Sequence, residues 1–183
     1  PSWLLYSLGL LIGDLSKHTY FLYTIFGLSI YNVGQYFWLR KLNIDKKYCL
    51  LATIITCFGL KLTEILRFPN AVHTFAWFPW ILYSITLSLQ NSKTIKSSII
   101  ILISTLMVLT AGYPYYILYG FILFSFYFFF VNIPKVKIQI GHNFVKNSFH
   151  KSFFTCLLPA LMAFLIVLPW FSGISDVMEI TRG

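Results

Sequence analysis

The chain has 183 residues, of which 58% are hydrophobic, 20% aromatic and 10% charged, and its formal net charge is +9. Soluble globular domains carry about 25% charged residues, so this composition excludes an ordinary soluble domain and predicts an integral membrane protein. Most basic residues lie in short segments beside apolar runs. We therefore attribute the charge to membrane topology and contact with membrane lipids, and we expect no nucleic-acid partner.

Apolar runs recur along the whole chain at lengths near that of a helical membrane span. They predict one all-α domain over 1–183, a polytopic transmembrane bundle of about six to seven spans. The predicted spans are 2–13, 20–39, 48–66, 77–90, 97–112, 115–132 and 153–170. Because the chain begins with Pro1 rather than Met, we expect it to be a fragment of a longer protein.

The basic residues fall on alternate connections between these spans. The connections hold Arg40, Lys41, Lys46 and Lys47, then Lys93 and Lys96, then Lys135, Lys137, Lys146 and Lys151. By the positive-inside rule these connections are cytoplasmic. The segments 67–80, 112–116 and 172–183 are then expected together on the outer face.

The segment 67–80 combines polar, aromatic and proline residues between apolar runs. Pro69 suits the first position of a helix, and a short interfacial helix is predicted near 69–77. On it Asn70, His73, Thr74 and Trp77 recur at i, i+3, i+4 and i+7 and share one face. With Arg67 beside the N-terminus, this face is a candidate phosphate site. The alternative is a belt of aromatic side chains at headgroup depth, with Arg67 extending to lipid phosphates.

Few other groups are candidates for chemistry. Asp14 lies with Lys17 and His18 in a small polar cluster and is chemically able to act as a general base. Glu64 is better explained by an ion pair with Lys61, three residues earlier. The cysteines are isolated in or beside apolar runs, and no metal site is predicted.

Several short motifs occur in a particular order along residues 20–183. They are Tyr36-Phe-Trp-Leu-Arg40, Asn70-x-x-His73-x-x-x-Trp77-x-Pro79, Gly112-Tyr-Pro114, Leu168-Pro169 and Thr181-Arg182. In this order the chain resembles the YfhO-like bacterial membrane proteins, within the glycosyltransferase C superfamily of polyprenyl-phosphate-dependent enzymes. Each motif is weak alone, and the order and spacing carry the resemblance.

The resemblance implies a bacterial cytoplasmic-membrane enzyme that transfers a sugar from a polyprenyl-phosphate carrier to an acceptor on the outer face. The lipid-linked sugar is then a donor substrate, and no separate cofactor is expected. Asn70, His73 and Trp77 would line the sugar-phosphate cavity, and Arg182 would approach it from the last outward segment. The catalytic acid of such enzymes usually lies in the first outward loop, which this chain is expected to lack. Asp14 is the substitute candidate.

Two other classes remain open. A transporter or flippase for a lipid-linked or amphiphilic substrate would use the prolines as breaks in discontinuous helices around a central site. A non-catalytic membrane subunit would use the polar outer face to bind another protein, of a kind that the sequence does not identify.

Overall fold

The structure, a computed structural model, describes residues 17–59, 68–90, 94–111, 114–131 and 149–182. Within these ranges the chain forms helices and turns, with no strand. The helices are α1 (Lys17–Lys41), α2 (Lys46–Cys57), α3 (Pro69–Ala76), α4 (Phe78–Leu89), α5 (Thr94–Thr110), α6 (Pro114–Val131) and α7 (Phe149–Arg182). The all-α prediction is confirmed.

The helices occupy most of the predicted apolar runs, and α2 shows the clearest difference. The run 48–66 predicted a longer helix, whereas α2 ends at Cys57 and Phe58 turns out of helical geometry at φ −97° and ψ 4°. Gly59 follows at once and donates its N–H to the Thr56 carbonyl at 3.3 Å. The predicted run 2–13 and residues 60–67 lie outside the described residues.

The turn between α1 and α2 is stabilised by the backbone of Asn43 and the side chain of Arg40. Asn43 adopts a positive φ of 62°, a conformation that asparagine tolerates better than most residues. Arg40 donates from Nη1 to the Ile44 carbonyl at 2.9 Å and closes the turn. Arg40 and Lys47 flank this turn, and both are exposed, so this end of α1 carries positive charge.

Buried hydroxyl groups join α4 to α5 and α7. Ser84 Oγ donates to the Ser97 carbonyl at 2.6 Å, and Ser97 Oγ donates back to the Ser84 carbonyl at 2.8 Å. Ser152 Oγ donates to the Ser88 carbonyl at 3.2 Å. Small side chains allow helices to approach closely, and hydrogen bonds between helices satisfy polar groups in an apolar surrounding.

The outer surface of the helices is apolar, in contrast to the buried hydroxyl groups between them. Large apolar side chains point outward along α6 and α7, including Phe121 and Phe126 on α6 and Phe154 and Leu165 on α7, all more than 60% exposed. Within α7, the stretch His150–Pro169 is long and apolar enough to cross a membrane, and 22% of an apolar segment of 18 residues within it is buried. Shorter apolar helices run over Ile95–Thr110 and Tyr115–Val131.

Hydrogen bonds near the helix ends show which ends lie together. Gln90, after α4, donates to the Lys41 carbonyl at 3.1 Å. Trp38, near the end of α1, donates from Nε1 to the Tyr127 hydroxyl of α6 at 3.0 Å. The contact of Ser152 with Ser88 adds the start of α7. The end of α1 with its basic turn, the ends of α4 and α6, and the start of α7 therefore form one end of the bundle.

Candidate functional site

The short helix α3 lies at the opposite end and is bounded by the two prolines of the predicted motif. Pro69 occupies its first turn, where the missing N–H costs no hydrogen bond. Trp77 ends α3 and also precedes α4, whose first turn contains Pro79. Because proline cannot donate to a preceding carbonyl, the helix breaks at Trp77 instead of continuing. The predicted short helix near 69–77 is present as Pro69–Ala76.

The predicted polar face of α3 is divided by burial. Asn70 is exposed, whereas His73 and Thr74 are fully buried and Trp77 is half-buried. Thr74 Oγ1 donates to the Asn70 carbonyl of its own helix at 2.9 Å, so its hydroxyl is used locally. The face turns inward because α3 packs mainly against α1. Of the four residues, Asn70 is the one open to a ligand.

His73 is fixed by contacts with α1. Its ring stacks on that of Tyr23, with 3.7 Å between centroids and 21° between planes. Its Nε2 lies 2.8 Å from the Tyr23 carbonyl oxygen. At Gly27 an added Cβ would lie 3.1 Å from His73 Nε2 and from Val72 Cγ1, so the missing side chain makes room for the imidazole. Tyr23 and Gly27 are one helical turn apart, and together they form the surface of α1 on which His73 lies.

The hydrogen bond shows that Nε2 of His73 carries a proton. A carbonyl oxygen only accepts, so Nε2–H must donate to the Tyr23 carbonyl. In the neutral ring Nδ1 is then a lone-pair acceptor, and it is buried with no hydrogen-bond partner among the described residues. Burial lowers the pKa of His73 from 6.5 to about 4, although the bond to the Tyr23 carbonyl acts in the opposite direction. The imidazole is neutral at pH 7.

Trp77 at the helix break and Trp80 just after it differ in their polar contacts. Trp80 donates from Nε1 to the Ile30 carbonyl at 2.9 Å and sits against Gly34, where an added Cβ would approach the indole to 2.7 Å. The Nε1 of Trp77 is buried with no hydrogen-bond partner in the described part of the chain. Sequence reasoning missed Gly27 and Gly34, although glycines seven residues apart on one helix face are a signal for close packing.

The segment 112–116 is brought to α3 in part. The rings of Phe75 and Tyr116 are 4.5 Å apart, and α3 also packs against α5 and α6. Asp14 and Arg67, two other predicted site residues, lie outside the described residues. Arg182 is the last residue of α7, whose backbone is described there without its side chain.

A separate cavity lies between α6 and the packed pair α5 and α7. This α6 cleft has a volume of about 590 Å³ and is lined from Ile101 to Leu109, from Ile117 to Phe129 and from Phe153 to Phe164, with Ile81 and Ile85 of α4 at its base. His73 and Asn70 do not line it. Among the described residues, no group of three or more His, Cys, Asp or Glu side chains is arranged to hold a metal ion.

The fold and site define an all-helical protein that contains a helix with the length and apolarity of a membrane span. Comparison of the chain with protein-family models, with curated proteins and with solved structures finds no match.

Proposed function

We propose that this chain is a polytopic membrane bundle with its basic turns on the cytoplasmic side of a bacterial cytoplasmic membrane. The two ends of α1 carry the proposal. Tyr23, which holds α3, and Lys41, at the basic turn, are 18 residues apart on one helix, which at ~1.5 Å per residue is about 27 Å. That separation is close to the ~30 Å of a bilayer hydrocarbon core. The apolar outer surface between the ends supports the same placement.

Within this membrane placement we propose a glycosyltransferase-like function, the transfer of a sugar from a polyprenyl-phosphate donor to an acceptor on the outer face. The order of motifs that resembles the YfhO-like proteins supports it, and α3 lies at the end opposite the basic turn. The exposed amide of Asn70 supports a direct contact with substrate, together with Arg67. Complete burial of His73 supports a positioning role, in which the imidazole holds α3 against α1.

The chemistry divides between cations and a base. A sugar-phosphate donor develops negative charge on the departing phosphate, which Arg67 and Arg182 would stabilise. Neutral His73 is not a cation at pH 7 and would not share that role. Asp14 remains the proposed base within the chain.

The test is sugar transfer from a polyprenyl-phosphate donor in membranes that contain the full protein. We expect Asn70→Ala and Arg67→Ala to lower transfer by at least about tenfold, because each removes a polar contact to a charged group. Lys47→Ala, an exposed change at the basic end, is the control and should leave transfer unchanged. Full transfer in both outer-face variants would remove the proposed site, and no transfer from any polyprenyl-phosphate sugar would remove the function.

The helix break at Trp77 supports a second candidate, a transporter or flippase for a lipid-linked or amphiphilic substrate. Discontinuous helices line the substrate sites of many transporters. Movement of a fluorescent lipid-linked substrate across vesicles without any change in its sugar would support this class. Transfer without movement would exclude it.

A further inference from the structure

The α6 cleft is a gap in the helix packing that the proposed sugar site does not use. α5 and α7 pack closely together, whereas α6 packs on α4 and α3. Its walls repeat at helical spacing, for example Phe153, Cys156, Ala160 and Phe164 on α7. A volume of about 590 Å³ falls within the ~300–1,000 Å³ typical of ligand cavities.

The chemistry of the walls selects an uncharged, apolar occupant. Among the described residues, the lining contains no charged side chain, and its polar members are two hydroxyl groups and one thiol, of Thr105, Ser125 and Cys156. An ion or a phosphate would find no charged partner among these residues, and its desolvation would be costly. A hydrocarbon chain would lose no hydrogen bond on entering.

The length of the cleft selects among hydrocarbons. The walls run over 101–109, 117–129 and 153–164, or about 12, 18 and 16 Å at ~1.5 Å per residue. One leaflet contributes half of a ~30 Å hydrocarbon core, or about 15 Å. An acyl chain of a membrane lipid fits this depth, whereas a polyprenyl chain that spans several such lengths would extend beyond it.

The cleft also opens toward the side of the bundle where lipid is expected. Leu118, Phe121 and Leu161 line the cleft and are 59%, 70% and 49% exposed, so its mouth is continuous with the apolar outer surface. We propose that the α6 cleft binds one acyl chain of a membrane phospholipid, which fills the space between α6 and α7. This inference rests on the membrane placement proposed above and is independent of sugar transfer.

The test uses the full protein in phosphatidylcholine and phosphatidylglycerol vesicles that contain a phospholipid with a photoreactive diazirine in one acyl chain. After irradiation, labelled peptides are identified by mass spectrometry. We expect labelling to concentrate on the cleft-facing side of α6 and α7, at Phe128 and Phe153, rather than on the outward Leu165. Equal labelling of cleft-facing and outward residues would overturn the proposal.

Substitutions that fill the cleft provide the second arm. Ala160→Trp places an indole in the cavity and should lower cleft labelling by at least about fivefold, because the added side chain occupies the space of the ligand. Leu165→Trp, on the exposed side of the same helix, is the matched control and should leave labelling unchanged. Ser125→Phe fills the cleft from α6, and retained labelling in whichever filling variant keeps its helical circular dichroism would overturn the proposal.

Competition separates the remaining occupants. Displacement of the label by an equimolar long-chain polyprenol, but not by added phospholipid, would assign the cleft to a donor chain and overturn the inference. Cross-links between two copies at Phe121 would assign it to a dimer and also overturn it. Sugar transfer is measured on the same vesicles. Absence of transfer with cleft labelling intact would reject only the proposed function, and transfer without cleft labelling would reject only the lipid site.

Discussion

At the scale of single residues, the described site depends on the space that two glycines leave on α1. Gly27 admits the imidazole of His73, and Gly34 admits the indole of Trp80. Both side chains then donate to backbone carbonyls of α1, those of Tyr23 and Ile30. Carbonyls inside a helix keep a second lone pair after their helical bond, so they accept these donors without breaking the helix.

We expect Gly34→Ala to destabilise the protein by about 1–3 kcal/mol, the usual cost of overpacking a close contact. The added methyl group would lie 2.7 Å from Cδ1 and Nε1 of Trp80 and force the indole away from the Ile30 carbonyl. Thermal unfolding in detergent measures the effect. Gly59→Ala is the control, because its nearest contacts would be at 3.4 Å. Equal melting temperatures for the two variants would contradict this account.

His73 should make stability depend on pH. Its pKa is about 4 in the folded protein and about 6.5 when unfolded. Between these values the unfolded chain binds more protons, so the free energy of unfolding falls as pH falls from 6.5 to 4, by at most about 1.4 kcal/mol per pH unit. Below pH 4 the loss of stability is complete and does not increase further. Above pH 6.5 His73 is neutral in both states and causes no loss of stability.

The matched variant is His73→Gln. Glutamine retains an amide N–H that is able to donate to the Tyr23 carbonyl, but it does not titrate. Chemical unfolding in detergent at pH 5.0 and 7.5 should show a smaller loss of stability at low pH for the variant than for the native protein. The same pH dependence in both proteins would mean that His73 is not the responsible group.

At the scale of helices, contacts between neighbours depend on small polar side chains. Ser84 and Ser97 exchange hydrogen bonds to each other's carbonyls, and both are fully buried. On α7, Pro159 provides no N–H to the carbonyl four residues earlier, that of Thr155. Ser98 Oγ donates to that carbonyl at 3.4 Å. Hydroxyl groups of α5 thus join it to α4 on one side and to α7 on the other.

We expect Ser84→Ala and Ser97→Ala each to lower stability by about 0.5–1.5 kcal/mol, since each removes a buried hydrogen bond. The two losses should not add, because the residues share one contact. A double-mutant cycle on unfolding in detergent measures the coupling. Ser29→Ala is the control, because the hydroxyl of exposed Ser29 donates to the Ile25 carbonyl of its own helix. Strict additivity would indicate that the two hydrogen bonds are independent.

At the scale of the whole molecule, buried hydroxyl groups lie among apolar core side chains, and the exterior of the helices is also largely apolar. The basic turn after α1 and the short helix α3 lie at opposite ends of α1, and the exposed side chains of α6 and α7 between them are largely apolar. Such a surface is stable in hydrocarbon and would promote aggregation in water. The proposed membrane orientation follows from the positions of the basic residues.

Accessibility of single cysteines tests that orientation. In a background without Cys49, Cys57 and Cys156, a membrane-impermeant maleimide should label Tyr115→Cys in intact bacterial cells. Lys47→Cys should be labelled only after the membrane is permeabilised, because Lys47 lies at the basic end. Both residues are exposed, so burial does not confound the comparison. The opposite pattern would invert the topology, and labelling of both in intact cells would reject the membrane placement.

The sequence by itself determined the features that depend on neighbouring residues in the chain. Helical conformation follows from long apolar runs without strand alternation, and the limits of α3 follow from Pro69 and Pro79, because proline acts on the turn in which it stands. The end of α2 at Cys57 was missed, because the apolar run in the sequence continues past Gly59 while the helical conformation of α2 ends at Cys57.

Only the tertiary structure decided which side of α3 is buried. Helical spacing grouped Asn70 with His73, but spacing does not reveal which helix covers a face. The contact of His73 with Tyr23 joins residues 50 positions apart, and the α6 cleft lies between α6 and the packed pair α5 and α7, with α4 at its base. Such features depend on packing between distant segments. The local sequence therefore specified the helix that carries His73, whereas its burial, its neutral state and the cleft were set by the helices around it.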